Sequence, residues 1–240
     1  MSPWAEQPVS DVLSPQVASR SEAALHRMTL HTVRTRPLLV WRGDRPWLAV
    51  SSATHGGGLG PRHWVLNATV ASDYDRGDPA EHVAEMAGEL GLTGDGVGML
   101  TAVDVRHEVT AIDNGVQATV TTGVGYPIWA AEASLPAGEH VPGVGTINAM
   151  CWSPVRLSES ALVNAVATVA EAKAQALVQA GVEGTGTCTD AAVVLCPVDG
   201  EAEPYGGPRS RVGSALARAV HAAVTAGLRV ENPRYRTDDG

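Results

Sequence analysis

Residues 157–180 repeat with a helical period, and one charge stands on the side where none belongs. Placed at about 100° per residue, Asn164, Thr168, Glu171, Gln175 and Gln179 fall in one polar stripe. Lys173 lies opposite them, among Leu162, Val166, Val169 and Leu177, on the face a soluble protein buries. A lysine there must lose its proton, meet a carboxylate or run its stem out to water. After the helix, Gly181, Gly184 and Gly186 alternate with Thr185, Thr187 and Thr189 before Asp190, and an apolar run, AAVVLCP, reads as a buried strand. Glycines at a strand entrance let backbone N–H groups come close to a ligand, while threonine hydroxyls and a carboxylate supply polar contacts. The plainer alternative is an ordinary helix-to-strand connection beside a structural ion pair.

The chain of 240 residues suffices for one large domain or two small ones with a real core. With 44% hydrophobic and 18% charged residues it is a folding composition. A net charge of -9 with no Lys/Arg cluster argues against a nucleic-acid partner. Cys151, Cys188 and Cys196 form neither a C-x-x-C pair nor an even set, so reduced thiols are expected, with no disulfide framework or zinc cage. The histidines show no metal-binding spacing, which leaves ligation only to residues distant in sequence. No basic-then-apolar leader opens the chain and no segment reads as a bilayer span; a cytoplasmic protein is expected, with no membrane partner.

In chain order, residues 1–20 read as a flexible arm, 21–230 as a single domain and 231–240 as a flexible tail. PLLVW and PWLAVSS, separated by RGDR, predict a β-hairpin. WVLNATV predicts a strand with Val65, Asn67 and Thr69 on one face and Leu66, Ala68 and Val70 on the other. Asp78-Pro79-Ala80-Glu81 predicts a helix start with Asp78 as cap, and Val83, Met86, Ala87 and Leu90 its apolar face. VGMLTAV, HEVTAI and VQATVTTGV, the last two joined at Asp113-Asn114-Gly115, predict an antiparallel meander. A Pro/Gly-rich loop over 126–143, anchored by Trp129, precedes a strand at GTINAMCW. In the last helix Val212, Leu216, Ala219, Val220 and Ala223 face inward, and Arg211, Arg218 and His221 outward. The expected architecture is α+β, with an antiparallel sheet and about three main helices packed on its faces.

The loop at 54–60 is neither a P-loop nor a G-x-G-x-x-G, because Pro61 takes the last glycine position. Its three successive glycines could still offer N–H groups to an oxyanion, with His55 as a proton shuttle, or be a plain hairpin loop. Asn67 and Asn148, each inside an apolar strand, must be hydrogen-bonded, to backbone or to substrate, and periodicity favours backbone. Thr101, Thr146 and Thr185 could act as nucleophiles if an amine such as Lys173 activates them; no G-x-S-x-G elbow is present.

Six motifs in order, SSATHGG at 51–57, VLN at 65–67, VGMLTA at 97–102, GTIN at 145–148, EAK at 171–173 and TGTCTD at 185–190, resemble the adenosylcobinamide amidohydrolases of corrinoid salvage. The likeness spans about residues 37–230, and the first loop carries His55 where the family pattern has asparagine. The resemblance implies hydrolysis of the amide joining a corrin side chain to aminopropanol, giving adenosylcobyric acid. It implies a corrinoid partner, no intrinsic cofactor and no metal site, the cobalt belonging to the substrate. It also implies catalytic roles for Asp190, Lys173 and Glu171. Either carboxylate would be the base, while Lys173 fixes its charge or protonates the leaving amine. Ser52, His55, Gly56, Gly57, Asn67, Thr101, Asn148, Thr185 and Thr187 would bind substrate, and His55 would orient it rather than shuttle protons. Trp64 and Trp129 are either core anchors or stacking surfaces for the corrin. Two alternatives stand: a non-catalytic corrinoid carrier, and a self-processing amidase with a threonine nucleophile.

Overall fold

The longest strand runs straight through a stretch that the sequence marks as a turn. In the computed structural model, which describes residues 16–18, 26–132 and 145–231, β3 (Arg36–Ser51) pairs along its length with β4 (Gly58–Thr69). Arg42 stands opposite Trp64 and Trp47 opposite Arg62, so residues 43–46 bulge out against His63 alone. Leu39 and Trp41 before the bulge and Ala49 after it enter the same core, which keeps the strand in one direction. The hairpin expected at RGDR is therefore a bulge. The reversal comes earlier, at Arg34 and Thr35, whose φ angles of 46° and 72° close β2 (Thr29–Val33) onto β3.

Among the described residues nine strands form one sheet. The remaining ones are β1 (Gln16–Ala18), β5 (Gly96–Thr101), β6 (Val109–Asp113), β7 (Val116–Thr122), β8 (Ile147–Trp152) and β9 (Ala191–Cys196), in the order β1-β6-β7-β8-β9-β3-β4-β5 with β2 also on β3. The pairing is mixed. β4 and β5 run parallel with α1 (Pro79–Glu89) between them in sequence, and β8 and β9 run parallel with α2 (Glu159–Gln179) between them. The expected meander breaks for that reason. The α1 crossover carries β5 to one edge beside β4, while β6 and β7 make their hairpin near the other, with Asn114 and Gly115 at φ 45° and 79°. Gly98 in β5 lets the α1 side chain of Val83 press onto the strand, where a Cβ would collide with it.

Three α-helices among the described residues cover the sheet, as an α+β reading requires. α2 and α3 (Arg211–Glu231) pack on the face of β6–β9 that presents Ala111, Val120, Ala149, Cys151 and Val194. α1 covers Leu38, Val40, Trp64 and Leu66. Between them a third cluster joins Leu39, Trp41, Val65 and Met99 to Met150, Trp152, Val193 and Leu195. Strand β4 is three places from β8 and four from β7, about 14 and 19 Å in a flat sheet. Asn67 of β4 nevertheless bonds to side chains on both. The sheet is thus curled around an inner core.

Several local expectations shift. Asp78 makes no side-chain cap, because its carboxylate takes Nε and Nη2 of Arg76, both at 2.8 Å; Ser158 does cap α2, accepting from Ala161 N. Arg218 is not free on the outer face of α3 but forks onto the buried carboxylate of Asp113 at 2.8 and 2.6 Å. His221 bonds Gln179 on α2 at 2.6 Å, and burial pushes its pKa below the ordinary value. Thr168 leaves the polar stripe, buried, to donate to Gly206 O. The expected arm contributes a strand, since Gln16–Ala18 pair with β6; the rest of residues 1–20, residues 133–143 of the predicted loop and residues 232–240 lie outside the described residues. α2 is long and apolar enough by composition to cross a membrane, contrary to the reading of the bare sequence, but Leu162, Ala165, Val169 and Leu177 are buried in the domain core.

Candidate active site

Asp190 ends the glycine/threonine turn one residue before β9, and every lone-pair direction of its carboxylate is used. Oδ2 accepts from Lys173 Nζ at 2.5 Å and from Thr187 N at 2.9 Å. Oδ1 accepts from Thr187 Oγ1 at 2.6 Å and from Ile147 N, the first residue of β8, at 2.8 Å. The Lys173 and Asp190 side chains are 17% and 11% exposed, so the sequence's misplaced lysine meets a carboxylate instead of reaching water. Of its three N–H groups one is committed to Asp190, and among the described residues two have no partner.

A small cleft of about 100 Å³ opens on this pair. Its walls are apolar, from Val166, Val169 and Ala170 of α2 and Val220 and Val224 of α3, and Ser52 with Ile147 and Ala191 completes it. The Ser52 hydroxyl accepts from Ala192 N at 3.0 Å, which stitches the SSATHGG segment to β9 and leaves its own proton unassigned. Gly186 is a glycine for space: a Cβ there would press on Lys173 Nζ and the Asp190 carboxylate. Four motifs far apart in sequence, through Ser52, Ile147, Lys173, Thr187 and Asp190, therefore converge here.

A second node lies on the other face of β8. Ile147 and Ala149 join the core beneath the helices, whereas Asn148 points into the curled sheet. There Asn148 Nδ2 donates to Asn67 Oδ1 at 2.8 Å and to Leu100 O at 3.1 Å, and Asn67 Nδ2 donates to Thr121 Oγ1 at 3.0 Å. Both amides are fully buried, bonded to each other, to one carbonyl and to one hydroxyl. Thr101 closes the turn after β5 by accepting from Val103 N.

The other predicted residues go elsewhere. Glu171 is exposed and stands about 200° around α2 from Lys173, so it does not share the ion pair's cleft. His55 bonds Ala80 O, stacks on Trp64 and, with Gly56, lines a separate open groove of about 550 Å³ beside α1. The Gly56 and Gly57 carbonyls are gripped by the buried guanidinium of Arg62, at 2.9 and 3.1 Å for Gly56 and 3.4 Å for Gly57. Thr185 accepts from Ala130 N and Thr146 pairs with Thr189, so neither hydroxyl meets Lys173, whose described partner is Asp190. Sequence reasoning did not find Arg62, Thr121 or the Ile147 N–H. Only the last had a signal, its place in GTIN beside Asn148. Cys151 is wholly buried and its thiol is pushed up to about 12 by desolvation, which makes it a core residue without nucleophilic character.

A sequence profile described as adenosylcobinamide amidohydrolase matches residues 21–236. The adenosylcobinamide amidohydrolase of Methanosarcina mazei is 31% identical over 199 residues, 79% of this chain and 93% of that protein. That of Halobacterium salinarum is 34% identical over 171 residues, 68% of this chain and 73% of its own length. The crystal structure of the PH0078 protein from Pyrococcus horikoshii OT3 aligns with a TM-score of 0.44 and 15% identity over 81% of this chain and 78% of its own, too loosely to bear on the site.

Proposed function

This chain belongs to the adenosylcobinamide amidohydrolase family, and on that premise we propose that it hydrolyses the aminopropanol amide of adenosylcobinamide at the Lys173–Asp190 cleft. The products are adenosylcobyric acid and free aminopropanol. The observation that carries the location is the convergence of four of the six motifs on one largely buried ammonium, two of whose N–H groups have no partner among the described residues.

Water adds its oxygen to the amide carbon, the C–N bond breaks, and the proton that the water gives up ends on the departing amine. Negative charge gathers on the former carbonyl oxygen, and a cation already held in place stabilises it without reorganisation. Lys173 is such a cation. Apolar walls on α2 and α3 strengthen its field by keeping water away. Asp190, with four donors on its two oxygens, has no acceptor direction left to take a proton from water. Its role here is to anchor Lys173, which moves it from base to positioning residue. The Ser52 hydroxyl at the same cleft has a proton to offer the substrate.

Release of aminopropanol, followed by mass spectrometry, tests the reading with Lys173→Met, Lys173→Arg and Asp190→Asn. Loss of a preorganised charge of this kind costs on the order of 100-fold or more in turnover. Near-normal turnover in folded Lys173→Met would remove the pair from the reaction.

A further inference from the structure

Five tryptophans lie among the described residues, and the fold accounts for four of them. Trp41, Trp47 and Trp152 gather around His26 inside the curled sheet, with ring centroids 4.8 to 6.1 Å apart. Trp64 is buried beneath α1 and donates its N–H to Gly94 O at 3.0 Å. Trp129 alone is largely exposed, at 47%, and among the described residues it meets no aromatic ring. An exposed indole is a large apolar surface left in water, which folding does not explain.

Its mounting is firm. Ile128 N donates to Gly186 O and Ile128 O accepts from Thr185 N, both at 2.9 Å. Ala130 N reaches Thr185 Oγ1 at 3.2 Å and Trp129 N reaches Glu132 Oε2 at 3.2 Å. The residues on both sides of Trp129 are therefore pinned to the 184–186 turn, and Gly184 leaves room for Ile128, whose N and O would lie 2.8 Å from a Cβ there. The same turn presses on Lys173 and Asp190 through Gly186. One short turn thus touches the ion pair and also holds the backbone that carries the exposed indole.

We propose that Trp129 is a specificity-determining residue of this site, a stacking surface for a planar unsaturated ring of the corrinoid substrate. The inference rests on the corrinoid reading above. Two parts of that substrate have the required chemistry, the macrocycle and the adenine of its adenosyl group. An indole carried on backbone that is already fixed has only its two side-chain torsions left to settle when a ring stacks on it, which keeps the ordering cost of the contact low.

Equilibrium dialysis of the full chain against adenosylcobinamide, read by the corrin absorbance, tests it alongside steady-state aminopropanol release. The chromophore is common to substrate and product, so binding is read whether or not the amide is cut. Trp129→Ala is expected to weaken retention and raise KM by about three- to tenfold with kcat little changed, and Trp129→Phe to restore most of it. Unchanged retention in Trp129→Ala, a loss that Phe does not restore, or no binding by the wild-type chain overturns the proposal. A loss seen only with the adenosyl form assigns adenine as the ring; an equal loss with cobinamide lacking that group assigns the macrocycle. Wild-type binding without amine release would end the hydrolase reading and leave stacking to be judged by the dialysis alone.

Discussion

Asn148 and Asn67 are 81 residues apart in sequence, and the amide of the first donates to the side-chain oxygen of the second across 2.8 Å of the sheet's interior. Strands separated by two others in the sheet are locked together by that bond. Asn148→Ala strands Leu100 O and Asn67 Oδ1 without their donor, and each single alanine variant is expected to lose about 1–3 kcal/mol of stability. Urea denaturation of both singles and the double checks it, since coupled residues give a double loss below the sum.

Gly186→Ala should damage activity more than folding. The backbone there does not require glycine, but the added methyl has to displace Lys173 or Asp190. A fall in kcat on the order of tenfold or more is expected from misplacing a reacting group by about 1 Å. Melting temperature and kcat measured on one preparation separate the two effects; a large Tm loss with normal kcat would contradict this account.

Arg62→Lys is not conservative at its site. The guanidinium spans the carbonyls of Gly56, Gly57 and Pro61, and a single ammonium cannot reach that set with the same fork. The loop between β3 and β4 should loosen. Limited proteolysis with mass mapping is expected to find new cleavage over residues 53–60 in the variant and none in the parent.

Acid should weaken the fold through His26 and His221. Burial lowers both pKa values from 6.5, so the unfolded chain binds protons that the folded chain refuses. Stability is full above about pH 6.5 and falls as the pH drops from there toward the lowered folded values. Urea midpoints between pH 7.5 and 5.5 should decline, and His221→Gln should flatten part of that slope.

Much of this was legible in the residues because it is local. Lys173 on the apolar face of α2, the Asp113-Asn114-Gly115 hairpin, the Pro79 helix start and the alternation along β4 each follow from a period or a backbone preference. What escaped depends on pairing across distance. RGDR reads as a turn until the shared core on both sides of it holds β3 straight. By sequence β5 leads on to β6, but the α1 crossover carries it to β4. The backbone donors on Asp190, 3 and 43 residues away at Thr187 and Ile147, come together only in the fold.

Consecutive residues of β8 serve opposite faces: Ile147 brings its N–H to Asp190 beneath the helices, and Asn148 brings its amide to Asn67 within the curl. The stretch therefore has no tolerance for a change in length. Deleting one residue between Gly145 and Asn148 would swap inside for outside along the whole strand, sending the amide among aliphatic side chains and the next apolar residue into the polar node. Substitutions there can be graded in their harm, but an insertion or deletion cannot, and lineages carrying this fold should vary in loop length on either side of that strand before they vary within it.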